Sequence, residues 1–137
     1  MSPALIDALI DRLDEVDYDL CVITGDFRAR TYGDCGDAVG LMAEVRERLS
    51  GPVYGVLGNH DSIAMLPGLE DMGIRMLLNE NAQLERDGER IYLVGIDDAH
   101  YYRVDNLEKA VQGIPPDAPT ILLSHTPEIY RLAAHAG

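Results

Sequence analysis

The sequence is poor in cysteine and in positive charge, and it has no long apolar run. Its two cysteines, Cys21 and Cys35, form no CxxC pair. Two thiols make no disulfide framework, which points to a reducing, cytoplasmic compartment. Lys and Arg number 11 against 24 Asp and Glu, for a net charge of −13. That balance argues against a nucleic-acid backbone as partner and leaves no basic patch for an anionic membrane. An acidic surface also simply keeps a protein soluble. Where such a protein handles an anionic substrate, something cationic must stand between them, and a metal ion is one candidate. No stretch approaches ~18 consecutive apolar residues, so no membrane-spanning segment is expected. The opening MSPALIDALIDRL has acids within its apolar part and no basic leader, and does not read as a secretory signal. There are no internal repeats, low-complexity tracts or interdomain linkers.

What remains is enough for one domain with a real core over residues 1–137, since 47% of the residues are hydrophobic. Residues 3–16 read as an amphipathic helix, with Leu5, Ile6, Leu9, Ile10, Leu13 and Val16 on one face and Ser2-Pro3 as its start signal. Strand-like runs follow at 19–24, 53–57 and 74–78, with helices at 37–49 and about 64–72. Asp87-Gly88 between 82–86 and 90–96 is a hairpin signal. A helix at 105–112 breaks at Pro115-Pro116, and strand 119–123 leads into a last helix at 127–135. Helices alternating with apolar strands predict an α/β fold with mainly parallel pairing plus one hairpin. In such sheets ligands gather where the strands end.

The strand ends are chemically unusual. DLCVIT runs into Gly25-Asp26, VYGVL into Gly58-Asn59-His60-Asp61, IYLVGI into Asp97-Asp98-Ala99-His100, and TILL into Ser124-His125. Carboxylate, carboxamide and imidazole together suit Mn²⁺, Fe, Zn²⁺ or Mg²⁺ better than a soft ion. A glycine before Asp26 and before Asn59 fits a tight turn where backbone can approach a bound group closely.

TGDF, then GNHD, then LLSHTP, in this order and on these strand ends, resemble the middle motifs of the calcineurin-like metallophosphoesterases, bacterial phosphohydrolases and phosphodiesterases among them. The GNHD match is specific; a lone GD carries nothing. The resemblance implies a layered sandwich of mixed β-sheet flanked by helices, and hydrolysis of a small phosphate ester by a metal-activated hydroxide at a two-metal site. It also implies roles. Asp26 would bridge the metals, with Asn59 and His125 as ligands of the second. His60 would face the phosphate and protonate the leaving oxygen, with Asp61 orienting its ring.

Two family motifs are absent: the first-strand Asp-x-His and the closing Gly-His-x-His. The chain is therefore expected to be the centre of such a domain, truncated at both ends, with at most one weakly held divalent metal and impaired activity. A non-catalytic remnant or interaction module, stable as an oligomer, is the alternative. A homo-oligomer or a partner is expected to cover the missing strand. Asp97, Asp98 and His100 read either as cleft or as solvated loop. Arg28 and Arg30 lie within reach of a phosphate or in a solvated loop. Tyr101 and Tyr102 read as core or rim, and His135 as structural.

Overall fold

The computed structural model describes residues 3–13 and 15–136 of the chain. The first helix, α1 (Pro3–Leu13), ends sooner than its apolar pattern suggests. Ile6 is fully buried while Val16 is exposed beyond the helix end, so the buried stripe is narrower than the sequence periodicity. Ser2, read as its cap, and residue 14 lie outside the described residues.

Strand β1 (Cys21–Ile23) leads through a long loop to α2 (Gly36–Arg48), then β2 (Val53–Gly55). A short 3₁₀ turn and α3 (Leu66–Asp71) follow, and Gly73, at φ 83°, closes that helix in the left-handed conformation that favours glycine. The rest is β3 (Ile74–Met76), the hairpin β4 (Glu80–Arg86) and β5 (Glu89–Gly95), the four-residue α4 (Leu107–Ala110), β6 (Thr120–Leu123), and α5 (Tyr130–Ala136). Asp87 and Gly88 both take positive φ, 54° and 84°, as the two-residue hairpin turn requires. No helix among the described residues is long and apolar enough to cross a membrane.

The strands form two sheets rather than one. β1, β2 and β3 pair in parallel. β4 and β5 pair antiparallel, and β6 joins β5 in parallel. Alternation along single strands sorts the layers. Val53 and Leu57 pack with Ile6, Met42 and Leu69 beneath the helices α1–α3. Tyr54 and Val56 face the other way, onto Leu77, Leu93 and Leu123 between the sheets. On β5, Leu93 points into that inter-sheet core, while Val94 packs outward with Ala110 and Ile129 of the second helical layer. The result is helix, sheet, sheet, helix: a layered α/β sandwich. The pairings β1–β2, β2–β3 and β5–β6 are parallel and the hairpin β4–β5 is antiparallel, as the sequence predicts, with β6 in the second sheet.

Candidate metal and phosphate site

Because β1 and β2 are adjacent and parallel, the turns that follow them lie side by side. They are pressed together. Gly25, at φ 93°, and Gly58 meet so closely that a Cβ on Gly25 would lie 2.5 Å from the Gly58 nitrogen. A Cβ on Gly58 would lie 2.5 Å from both the nitrogen and Oδ1 of Asp26. Asp26 itself takes φ 59°, a left-handed conformation that Asp tolerates better than most side chains.

Crossed hydrogen bonds tie the two turns. Asp61 Oδ2 accepts from the backbone N–H of Asp26 at 2.7 Å and of Gly58 at 2.8 Å, and Oδ1 accepts from that of Arg28 at 3.2 Å. In return the His60 N–H donates to Asp26 Oδ1 at 3.2 Å. Asp61 is 1% exposed. Burial pushes its carboxyl above the usual carboxylate range, and the backbone N–H groups pull it part of the way back.

The third contributor crosses from the other sheet. His125, just past β6, sets Nδ1 2.7 Å from the Thr24 carbonyl oxygen. That carbonyl only accepts, so Nδ1 donates to it, and the tautomer that leaves Nε2 without a proton turns a lone pair toward the cluster. Nε2 lies 3.0 Å from Asn59 Oδ1 and 3.5 Å from Asp26 Oδ1. In that tautomer three lone-pair donors, one nitrogen and two oxygens, face one another. Donors about 2.1 Å from a common ion stand roughly 3.0–3.4 Å apart, so the spacing fits a divalent cation. The Nδ1–H to carbonyl bond is also the partner that metal-ligating histidines generally have. Without Asn59 the donor set is thin: among the described residues no three His, Cys, Asp or Glu side chains gather to hold an ion.

The His60 imidazole stands at the open side of this cluster, its side chain 37% exposed and its Nδ1 3.5 Å from Asp26 Oδ2. Asp61 sits otherwise than the resemblance implies. The Asp61 carboxylate is spent on backbone N–H groups, and the carboxylate beside the His60 ring is that of Asp26. Arg28 turns inward onto carbonyl oxygens and is buried, along the wall of a hollow it shares with Thr31, Tyr32, Ser62 and Gly68. Asp98 is 2% exposed; its Oδ2 caps the following loop by accepting from the N–H groups of Tyr101 and Tyr102. His100 pairs with Glu128 at 2.7 Å on the surface, and Arg30 stacks over Tyr32. His135 is exposed near the end of α5. Two contributors had no individual signal in the sequence: the Thr24 carbonyl that orients His125, and Tyr102, whose hydroxyl donates to the Asp61 carbonyl at 3.2 Å.

The Calcineurin-like phosphoesterase family model matches residues 3–135. The chain belongs to the calcineurin-like phosphoesterase family. It is 32% identical to the Bos taurus "Transmembrane protein with metallophosphoesterase domain", over 96% of this chain and 33% of that protein. The Danio rerio protein of the same title is also 32% identical, over 91% of this chain and 31% of its own length. The chain thus spans about a third of the curated relatives it matches. Among solved structures, the NAD nucleotidase of Haemophilus influenzae superposes with a TM-score of 0.61 at 20% identity, over 93% of this chain and 33% of that one. That likeness shows the layered fold shared across the calcineurin-like phosphoesterases.

Proposed function

We propose that this chain carries a phosphate-ester-hydrolysing site in which Asp26, Asn59 and His125 hold one divalent cation and His60 acts on the phosphoryl group. The observation that carries the reading is the convergence of His125 Nε2 with the oxygens of Asn59 and Asp26 at 3.0 and 3.5 Å, with Nδ1 already committed to Thr24. When bound, such an ion supplies Lewis-acid charge for phosphoryl oxygens and an acidified water. The chain's own residues do the rest. Asp26 and Asn59 orient the donor set, and the exposed face of His60 donates a hydrogen bond or proton to the leaving oxygen. Asp61 acts at one remove, by fixing the backbone that carries His60. The substrate class is a small phosphate ester, monoester or diester. Because the donor set is thin, ion binding is weak and turnover by the 137-residue chain alone is slow.

Calorimetry with Mn²⁺ and hydrolysis of p-nitrophenyl phosphate and its bis ester test this directly. One ion per chain is expected. Asp26→Asn, which keeps the left-handed turn, should weaken binding at least about tenfold by removing a charged ligand. His60→Ala should leave binding within about twofold and lower turnover about a hundredfold, as loss of an acid catalyst does. Mn²⁺ affinity unchanged by Asp26→Asn would end the metal-site reading. Binding without turnover would favour a non-catalytic role.

A further inference from the structure

Arg28 is a buried cation, 8% exposed, in a chain that keeps most of its charge on the surface. Its guanidinium is spread over the protein interior, and among the described residues its hydrogen-bond partners include no carboxylate. Nε donates to the His60 carbonyl oxygen, Nη2 to the Thr31 carbonyl at 2.9 Å, and Nη1 to the Gly33 carbonyl and the Cys35 sulfur, each at 3.3 Å. Its own N–H donates to Asp61 Oδ1. Burying a guanidinium on neutral acceptors is costly, and an apolar side chain of similar volume packs there more cheaply. What the arginine adds is geometry: a rigid fork reaching from the loop after β1 to the turn after β2.

The residue it reaches is the exposed histidine. Among the described residues the His60 ring has one loose polar neighbour, Asp26 Oδ2 at 3.5 Å, a contact too long to fix the ring's place. The backbone fixes it, with the N–H held by Asp26 Oδ1 and the carbonyl by Arg28 Nε. Removing either anchor lets the peptide carrying the imidazole turn.

We propose that Arg28 is the positioning residue for His60, setting the height of the imidazole over the Asp26–Asn59–His125 cluster without touching substrate. This rests on the phosphoesterase reading for its kinetic consequence but not for its geometric one. The test uses Arg28→Lys and Arg28→Gln with three readouts: the His60 imidazole and amide NMR chemical shifts at one fixed pH, kcat against KM on bis-p-nitrophenyl phosphate with Mn²⁺, and the thermal midpoint. The expected result is displaced His60 signals with His125 signals in place. With it, kcat should fall about tenfold or more, as displacement of a catalytic group does, while KM stays within about twofold. Arg28→Lys, which keeps the charge but lacks the fork, should not rescue. Where Arg28→Gln fails to fold, Cys35→Ala, which removes one of the two acceptors of Nη1, should move the same His60 signals to a smaller extent. Wild-type kcat and unmoved His60 signals in Arg28→Lys, or unmoved His60 signals in Cys35→Ala, would overturn the proposal. A wild-type chain without turnover would refute the phosphoesterase reading instead, and the displacement of the His60 signals would then decide the positioning role by itself.

Discussion

Gly58→Ala is the sharpest probe of how the site is built. The added methyl would sit 2.5 Å from the Asp26 nitrogen and Oδ1 and 3.0 Å from His125 Cε1, against the 3.4 Å at which ordinary contact begins. None of these three atoms is the far end of a long, flexible side chain. One is backbone, and the other two belong to residues whose hydrogen bonds hold the two turns and the two sheets together. The turns must therefore separate by close to an ångström. Overpacking of this kind costs about 1–3 kcal/mol, and for a domain near this size each kcal/mol lowers the thermal midpoint by about 2–4 °C, so a fall of roughly 3–10 °C is expected. The functional loss should be larger, since a misplacement of ~1 Å can cost ~100-fold in rate. The internal control is Gly40→Ala. Gly40 lies in α2 with nothing within 4 Å of an added Cβ, so alanine should stabilise there by about 0.5–1 kcal/mol through helix propensity. Thermal melts and Mn²⁺ calorimetry on both variants read the contrast. A Gly58→Ala protein with wild-type midpoint and wild-type Mn²⁺ affinity would refute the claim that the two turns are in contact.

Two further outcomes follow from the same coordinates. Burial holds the Asp97 carboxyl above the usual range while Oδ1 accepts from the Asp98 N–H, so its ionisation opposes folding as pH rises through the raised value. Asp97→Asn keeps the acceptor and should be the more stable protein at pH 7. The difference should vanish below about pH 4, where the wild-type carboxyl is protonated folded and unfolded alike; urea melts at the two pH values check this, and a gain that persists at low pH would contradict it. The outer edge of β1 carries no strand among the described residues and leaves Val22 39% exposed, so the 137-residue chain is expected to self-associate and Val22→Lys to weaken that association; light scattering that finds a strict monomer in both would count against it.

The hairpin was legible because its turn chemistry is local: Asp87-Gly88 needs no tertiary context. The strand-end residues Asp26, Asn59 and His125 were legible as a group because residue order carried them, and the structure brings their side chains within hydrogen-bond range. The division into two sheets was not. VYGVL is apolar on both faces, which says only that both faces are buried, and leaves open whether the neighbouring layer is helix or sheet. Helix α4 is shorter than its pattern because Asn106 caps it by accepting from the Lys109 N–H and the chain turns away at Val111. Arg28 and Asp61 have the composition of a cleft, yet most of their partners are backbone groups, and the bonds that join the two turns run between distant segments, which no side-chain pattern encodes.

The bond from His125 to the Thr24 carbonyl spans 101 positions of the chain, and the contact from the same ring to Asn59 spans 66. Such a centre cannot be assembled by either sheet alone. Loop closure over these separations must precede it, so the cluster forms late in folding, after the second sheet has docked on the first. A cation held there would act as a clasp across the sheet–sheet seam, binding the folded chain and not the open one. Its stabilisation would grow with the logarithm of its concentration. Chelation should then loosen the seam before it melts either sheet, with exchange protection falling first at the β6 exit and the Gly25–Asp26 turn.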